Sequence, residues 1–365
     1  MFGIDDLFSS GFREATEKFQ QAARSAGATL DIIPHPVDRD GRVGPVATSI
    51  AQSRANGAGR ALVTVSATHG VEGYCGSACQ TGLLLSGLHH DLAARGVALI
   101  QVHALNPWGF AFDRRVTEHN VDLNRNFLDP GACVPQNHGY RRLHPLLVPD
   151  TDTIAGFRAA GRELDAALRT RGHDRCRSQI TRGQYDFSDG LFFGGTRPCW
   201  SNRTWRGICG DVLAAYDRLI VLEFHTGLGA YGAQELIYNG SSGSPACRHL
   251  AALLGDRLTV AGGTGSSSAA VVGSLAVATE ALLAPRMVLP IVVEYGTVPF
   301  NTLLRALCFE NWCHQRGWLA GAAGGRIKKS FRRAFYPDDG RWRDQVWHQA
   351  RALVDRAAAW LAADL

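Results

Sequence analysis

Ala61-Leu-Val-Thr-Val-Ser-Ala-Thr-His-Gly-Val-Glu-Gly73 is the stretch on which the fold turns. Its first half mixes β-branched and other apolar residues and reads as a buried strand. Gly70 and Gly73 then break the run and permit a tight turn. His69 and Glu72 are left where the strand stops. In open α/β sheets, ligands bind beyond the carboxyl ends of the strands. A lone His-x-x-Glu arises often by chance, so its weight depends on what else converges there.

Three further runs have the same form. Val97–Ala104 is apolar and leads into Leu105-Asn-Pro-Trp-Gly-Phe110. Tyr216–Phe224 contains Leu219-Ile-Val-Leu222 and leads into His225-Thr-Gly-Leu-Gly229. Val288–Val293 leads into Glu294-Tyr-Gly-Thr297. Polar residues at the ends of apolar strands have little packing value. Helices are expected from Ser9 or Ser10 to about Ala26, over Gly76–Arg95, over Ile154–Arg171 and over Pro245–Gly255. Trp342, Val346, Ala350, Leu353, Ala357 and Trp360 recur at helical spacing and predict an amphipathic C-terminal helix that packs on the body. The region from about 130 to 210, rich in Arg, Gly and aromatic residues over its second half, reads as loops around a site. No repeat or linker is visible. The expectation is one domain spanning 1–365, with a three-layer α/β/α architecture.

The bulk numbers narrow the setting. The chain has 365 residues, of which 45% are hydrophobic and 19% charged, an ordinary globular composition. A net charge of +5 is too mild to indicate a nucleic-acid partner. The nine cysteines are odd in number and lack CxxC pairs, which suits a reducing compartment. The N-terminus has no signal-peptide pattern. No apolar run approaches the roughly 18 residues of a membrane span. A soluble, cytoplasmic protein is expected.

Two imidazoles and a carboxylate suit zinc, with a fourth position left for water. Zinc can bring the pKa of such a water to about 7. A further carboxylate is then needed to take its proton and pass it to the leaving group. Glu294 can do this. A cation is needed where a carbonyl oxygen gains charge. Arg114 or Arg115 can supply it.

His69-x-x-Glu72, Asp122-x-Asn124-Arg125-Asn126, His225 and Glu294 stand in the order used by the zinc carboxypeptidases of the carboxypeptidase A type, and from Ala61 to Thr297 the chain resembles that superfamily. Asn106-Pro-Trp-Gly-Phe and Asp122-Leu-Asn-Arg-Asn-Phe look most like its bacterial, uncharacterised branch. The resemblance implies a mixed central sheet flanked by helices. It implies one Zn2+ held by His69, Glu72 and His225, with Glu294 as general base and acid. It implies that Arg115 polarises the scissile carbonyl and that Asn124 and Arg125 grip a substrate carboxylate; Arg114, adjacent to Arg115, stands as a further candidate substrate contact. Asp122 matches the carboxylate that receives the spare N–H of the first zinc histidine. The implied function is zinc-dependent cleavage of a peptide or peptide-like amide bond, as a carboxypeptidase. Aspartoacylase and succinylglutamate desuccinylase share the zinc set and an Asp-Leu-Asn-Arg phrase. The alternative is therefore a deacylase of small N-acyl amino acids. The chain departs from the carboxypeptidase pattern in one respect. Val260–Val293, where a mobile tyrosine is expected, contains none. Tyr231, Tyr238 and Tyr295 remain as substitutes.

Overall fold

The computed structural model describes residues 3–36, 45–55, 59–128 and 133–363. Among them, eight strands make one sheet: β1 (Thr29–Pro34), β2 (Ala47–Ser53), β3 (Arg60–Val65), β4 (Val97–His103), β5 (Arg218–Tyr231), β6 (Gln234–Tyr238), β7 (Leu258–Val260) and β8 (Met287–Gly296). Their order is β1-β2-β4-β3-β5-β8-β6-β7. The middle four, β4-β3-β5-β8, are parallel, and β2 and β6 flank them antiparallel. The sheet is thus mixed, and the fold is α/β.

Parallel strands covered on both faces must be apolar on both faces. The central strands obey this. Leu62, Leu99, Ile220, Leu222, Leu289 and Ile291 face the helices Gly73–Leu85 and Gly340–Ala362, including Trp342 and Leu353. Ala61, Val63, Ala98, Ile100, Leu219 and Val221 face the opposite way, toward Trp205, Ile208 and Leu275. A third apolar cluster joins Leu303, Leu307, Phe335 and Phe192 to Tyr140, Leu143 and Ile180. It forms a helical lobe, part of which walls the pocket at the carboxyl ends of the strands.

Several sequence expectations are corrected. The helix expected over Gly76–Arg95 is two, Gly73–Leu85 and Leu88–Ala94, because Gly87 sits in the left-handed region at φ 72°. The helix Phe12–Ser25 is preceded by Gly11 and not by a capping serine. Ser10 instead bonds to Glu14. The region from 130 to 210 holds the helices His138–Leu147 and His173–Thr181 and most of Trp200–Asp211, besides the expected Ile154–Arg171. Their buried stripes are short and set among arginines and glycines, so helical periodicity is faint in the sequence. Strand β2 carries Thr48, Ser49 and Gln52 in its buried interior, which hid it from a hydrophobic reading. No helix among the described residues is long and apolar enough to cross a membrane. All nine cysteines are free.

Candidate metal centre

Strand β3 ends at Val65, and Ala67 at φ 56° turns the chain out of the sheet. A single 3-10 turn, Gly70–Glu72, follows directly after His69. Residues three apart eclipse in such a turn, which stacks His69 and Glu72 on one side. Gly70 is required there. A Cβ on it would lie 1.9 Å from the carbonyl carbon of Gly109. The turn is stitched to its neighbours by backbone bonds, Gly70 N–H to Arg115 O at 3.2 Å and Val71 N–H to Arg114 O at 2.9 Å. These bonds carry Arg115 to the site.

His225 was expected just past a strand end. It lies inside β5, whose strand continues to Tyr231. On the adjacent parallel strand β8, its register partner is Glu294. Two distant segments thereby bring their functional side chains together. One ligand atom each from His69, Glu72 and His225 lies within 4.8 Å of the others. Nδ1 of His69 is 3.1 Å from Glu72 Oε1, and Nδ1 of His225 is 2.9 Å from Glu72 Oε2. Nδ1 of His69 is buried yet makes no hydrogen bond, as suits an atom reserved for a ligand. Two imidazole nitrogens and a carboxylate in this compact, buried arrangement fit a zinc-type cation.

Each histidine has a carboxylate behind it. Nε2 of His69 is 3.0 Å from Asp122 Oδ1. Nε2 of His225 is 2.8 Å from Glu223 Oε1. Glu223 escaped the sequence reading, although Glu-x-His on a strand places both side chains on one face. Burial opposes ionisation of Asp122, Glu72 and Glu223. The charges of His69 and Arg115 hold the first two below the usual carboxylate range, and His225 does the same for Glu223. Burial also opposes the charge on His225, but Glu223 and Glu72 push its pKa well up. Glu294 behaves oppositely. Burial, then the charge of Glu72, pushes it up to about 8, while the Leu228 N–H holds its Oε1 at 2.9 Å.

The adjacent arginines separate. Arg115 donates to Glu72 at 2.5 Å and to Asp122 at 3.3 Å, and it lines the pocket. Its Nη2 also lies 3.0 Å from His69 Nε2. Both atoms donate to Asp122, so this approach follows from sharing one carboxylate. Arg114, expected as a substrate contact, is only 2% exposed and is locked to Glu310 at 3.1 Å, with Asn120 and Asn311 alongside. It does not line the pocket of His69, Glu72 and Glu294. Asn124 is also turned inward. Its amide donates to Glu223 at 2.8 Å, and its oxygen accepts from Leu275 N–H at 2.8 Å, so neither end is free for a substrate. Arg125 does line the pocket, held by the carbonyls of Thr181 and Asn124. Tyr231, Tyr238 and Tyr295 bond to Asp339, Ser244 and Gln234 respectively, and none lines the pocket. The remaining walls include Phe192, Leu228, Phe300, Leu303 and Phe335.

Among solved structures, the chain is similar to the carboxypeptidase A of Helicoverpa armigera, with 12% identity over 90% of this chain and 74% of that one, at a TM-score of 0.45. It is similar to the succinylglutamate desuccinylase/aspartoacylase of Rhodobacter sphaeroides, with 15% identity over 81% and 67% and a TM-score of 0.37. It is also similar to the ectoine utilization protein EutE (DoeB) of Ruegeria pomeroyi, with 15% identity over 80% and 67% and a TM-score of 0.39. No curated protein matches the chain. The family model described as "Protein of unknown function (DUF2817)" matches residues 8–349, nearly the whole length, and the chain belongs to that family.

Proposed function

We propose that this protein is a zinc-dependent hydrolase of amide bonds, acting on a peptide-like substrate with a free carboxylate, as a carboxypeptidase does. One observation carries the reading: His69, Glu72 and His225 converge, with Glu294 in register beside His225. Zinc held by those three would polarise a carbonyl and acidify a water.

The chain's own groups do the rest. Glu294 accepts a proton from the attacking water as the new C–O bond forms. It then delivers that proton to the nitrogen as the C–N bond breaks. A carboxyl raised by burial is suited to holding a proton between the two steps. Arg115 faces the pocket and stabilises the charge that grows on the carbonyl oxygen. Arg125 offers the substrate carboxylate the two Nη N–H groups left over from Thr181 and Asn124. Phe192, Leu228 and Phe300 exclude bulk water, which strengthens each of these interactions.

The alternative reading, a deacylase of small N-acyl amino acids, draws on the narrowness of the cavity, about 60 Å³. Zinc-loaded protein should hydrolyse members of a dipeptide panel, and Glu294→Gln should reduce kcat by about 10²- to 10⁴-fold while still binding zinc. Turnover confined to acylated single amino acids would replace the first reading with the second. Equal activity in wild type and Glu294→Gln would end both.

A further inference from the structure

We propose that Glu223 and Asn124 are positioning residues for the metal ligands: Glu223 orients His225, and Asn124 ties together the two carboxylates that stand behind the histidines. This rests on the metal reading above.

Glu223 lies mid-strand in β5, 1% exposed, with Val65 and Val292 as its register partners on β3 and β8. An ionised carboxylate in such surroundings is costly, and packing offers no reason to keep it. The donors it meets converge on one oxygen. His225 Nε2 and Asn124 Nδ2 both lie 2.8 Å from Oε1, while Oε2 makes no hydrogen bond and has the Thr68 side chain nearby. An ionised carboxylate can only accept, so Nε2 of His225 must carry the proton. That bond leaves Nδ1, beside Glu72, to present its lone pair once a cation is bound, and it also sets the angle of the ring. His69 is arranged in the same way, with Nε2 toward Asp122 and Nδ1 toward Glu72. The two histidines therefore face each other across Glu72, each backed by its own carboxylate.

Asn124 joins the supports. Its backbone N–H donates to Asp122 Oδ1 at 3.0 Å, and its side-chain NH2 donates to Glu223. The orientation of the amide is not free. Leu275 N–H is a donor and requires the oxygen on its side, which turns the NH2 to Glu223. One residue thus spans the outer partners of both histidines. The motif order implies substrate binding for Asn124. The geometry gives it the metal centre instead.

The test uses the whole 365-residue chain, with zinc alone for binding and the dipeptide panel for KM. The dissociation constant is measured by competition with a chromophoric chelator for wild type, Glu223→Gln and Asn124→Ala, with circular dichroism to show that each is folded. Glu223→Gln should bind zinc about tenfold more weakly or worse, the effect typical of lost outer partners. Asn124→Ala should also weaken zinc binding and leave KM close to wild type. Unchanged zinc affinity in folded Glu223→Gln would overturn the proposal, as would an Asn124→Ala protein whose KM rises while its zinc affinity holds. If Glu223→Gln does not fold, the Asn124→Ala result decides. Wild-type protein that binds no zinc would remove the metal reading and this one together.

Discussion

At the residue scale, the site depends on close approach as much as on charge. His69 reaches its place because Gly70 lets the Pro107–Ala111 helix sit directly on the turn. A methyl group at that point meets backbone, which cannot swing aside. Gly70→Ala should therefore destabilise the fold by about 3 kcal/mol, the upper part of the range for overpacking, and weaken zinc binding with it. Urea unfolding measures the first effect. A change within about 0.5 kcal/mol, as for an ordinary surface site, would mean that the helix is not seated on the turn as described. Glu223 and Asn124 teach a related lesson. Both were within sight in the sequence, one inside an apolar strand and one inside a motif, yet the motif order implied substrate contact for the second.

At the scale of elements, the adjacent arginines show how a helix chooses between neighbours. The Phe300–Gln315 helix presents Glu310 to Arg114, and the Gly321–Phe335 helix brings Lys328 to the same carboxylate. Arg114 is consumed there, and Arg115 is left for the pocket. Burial opposes ionisation of Glu310, but the charges of Arg114 and Lys328 hold its pKa below the usual value. A depressed carboxylate pKa stabilises the fold above its unfolded value, near 4.3. That contribution is lost as pH falls through the folded pKa. Glu310→Gln should cost about 3–5 kcal/mol at pH 7, because it leaves buried cations unpaired. The gap from wild type should narrow as pH falls from the unfolded value toward the depressed folded pKa, and close once wild-type Glu310 is itself protonated in the folded state. Urea midpoints across this pH range check this. A gap that stays constant would mean that Glu310 contributes no charge to the cluster.

For the whole molecule, the ligands come from the turn after β3 and from the middle of β5, segments that are distant in the unfolded chain. A cation bound by all three stabilises the native state alone. Zinc at a hundredfold its dissociation constant should add about 2.7 kcal/mol. Differential scanning fluorimetry should show melting rise with zinc and fall back with chelator. No shift at saturating zinc would count against the centre. The lobe built on Leu303, Leu307 and Phe335 sits over these ligands, so the pocket is formed by segments from most of the chain's length.

Hydrophobic patterning is local and marked the four central strands, and residue order gave the His-x-x-Glu, His and Glu motifs at their ends; that these strands run parallel is shown by the sheet. The same patterning missed β2, whose buried interior is polar, and the lobe helices, whose apolar stripes are short. Partnership is not local. Whether Arg114 or Arg115 faces the pocket and where the Asn124 amide turns depend on groups tens to hundreds of residues away. A buried donor must find an acceptor, and only the packed chain decides which one lies opposite.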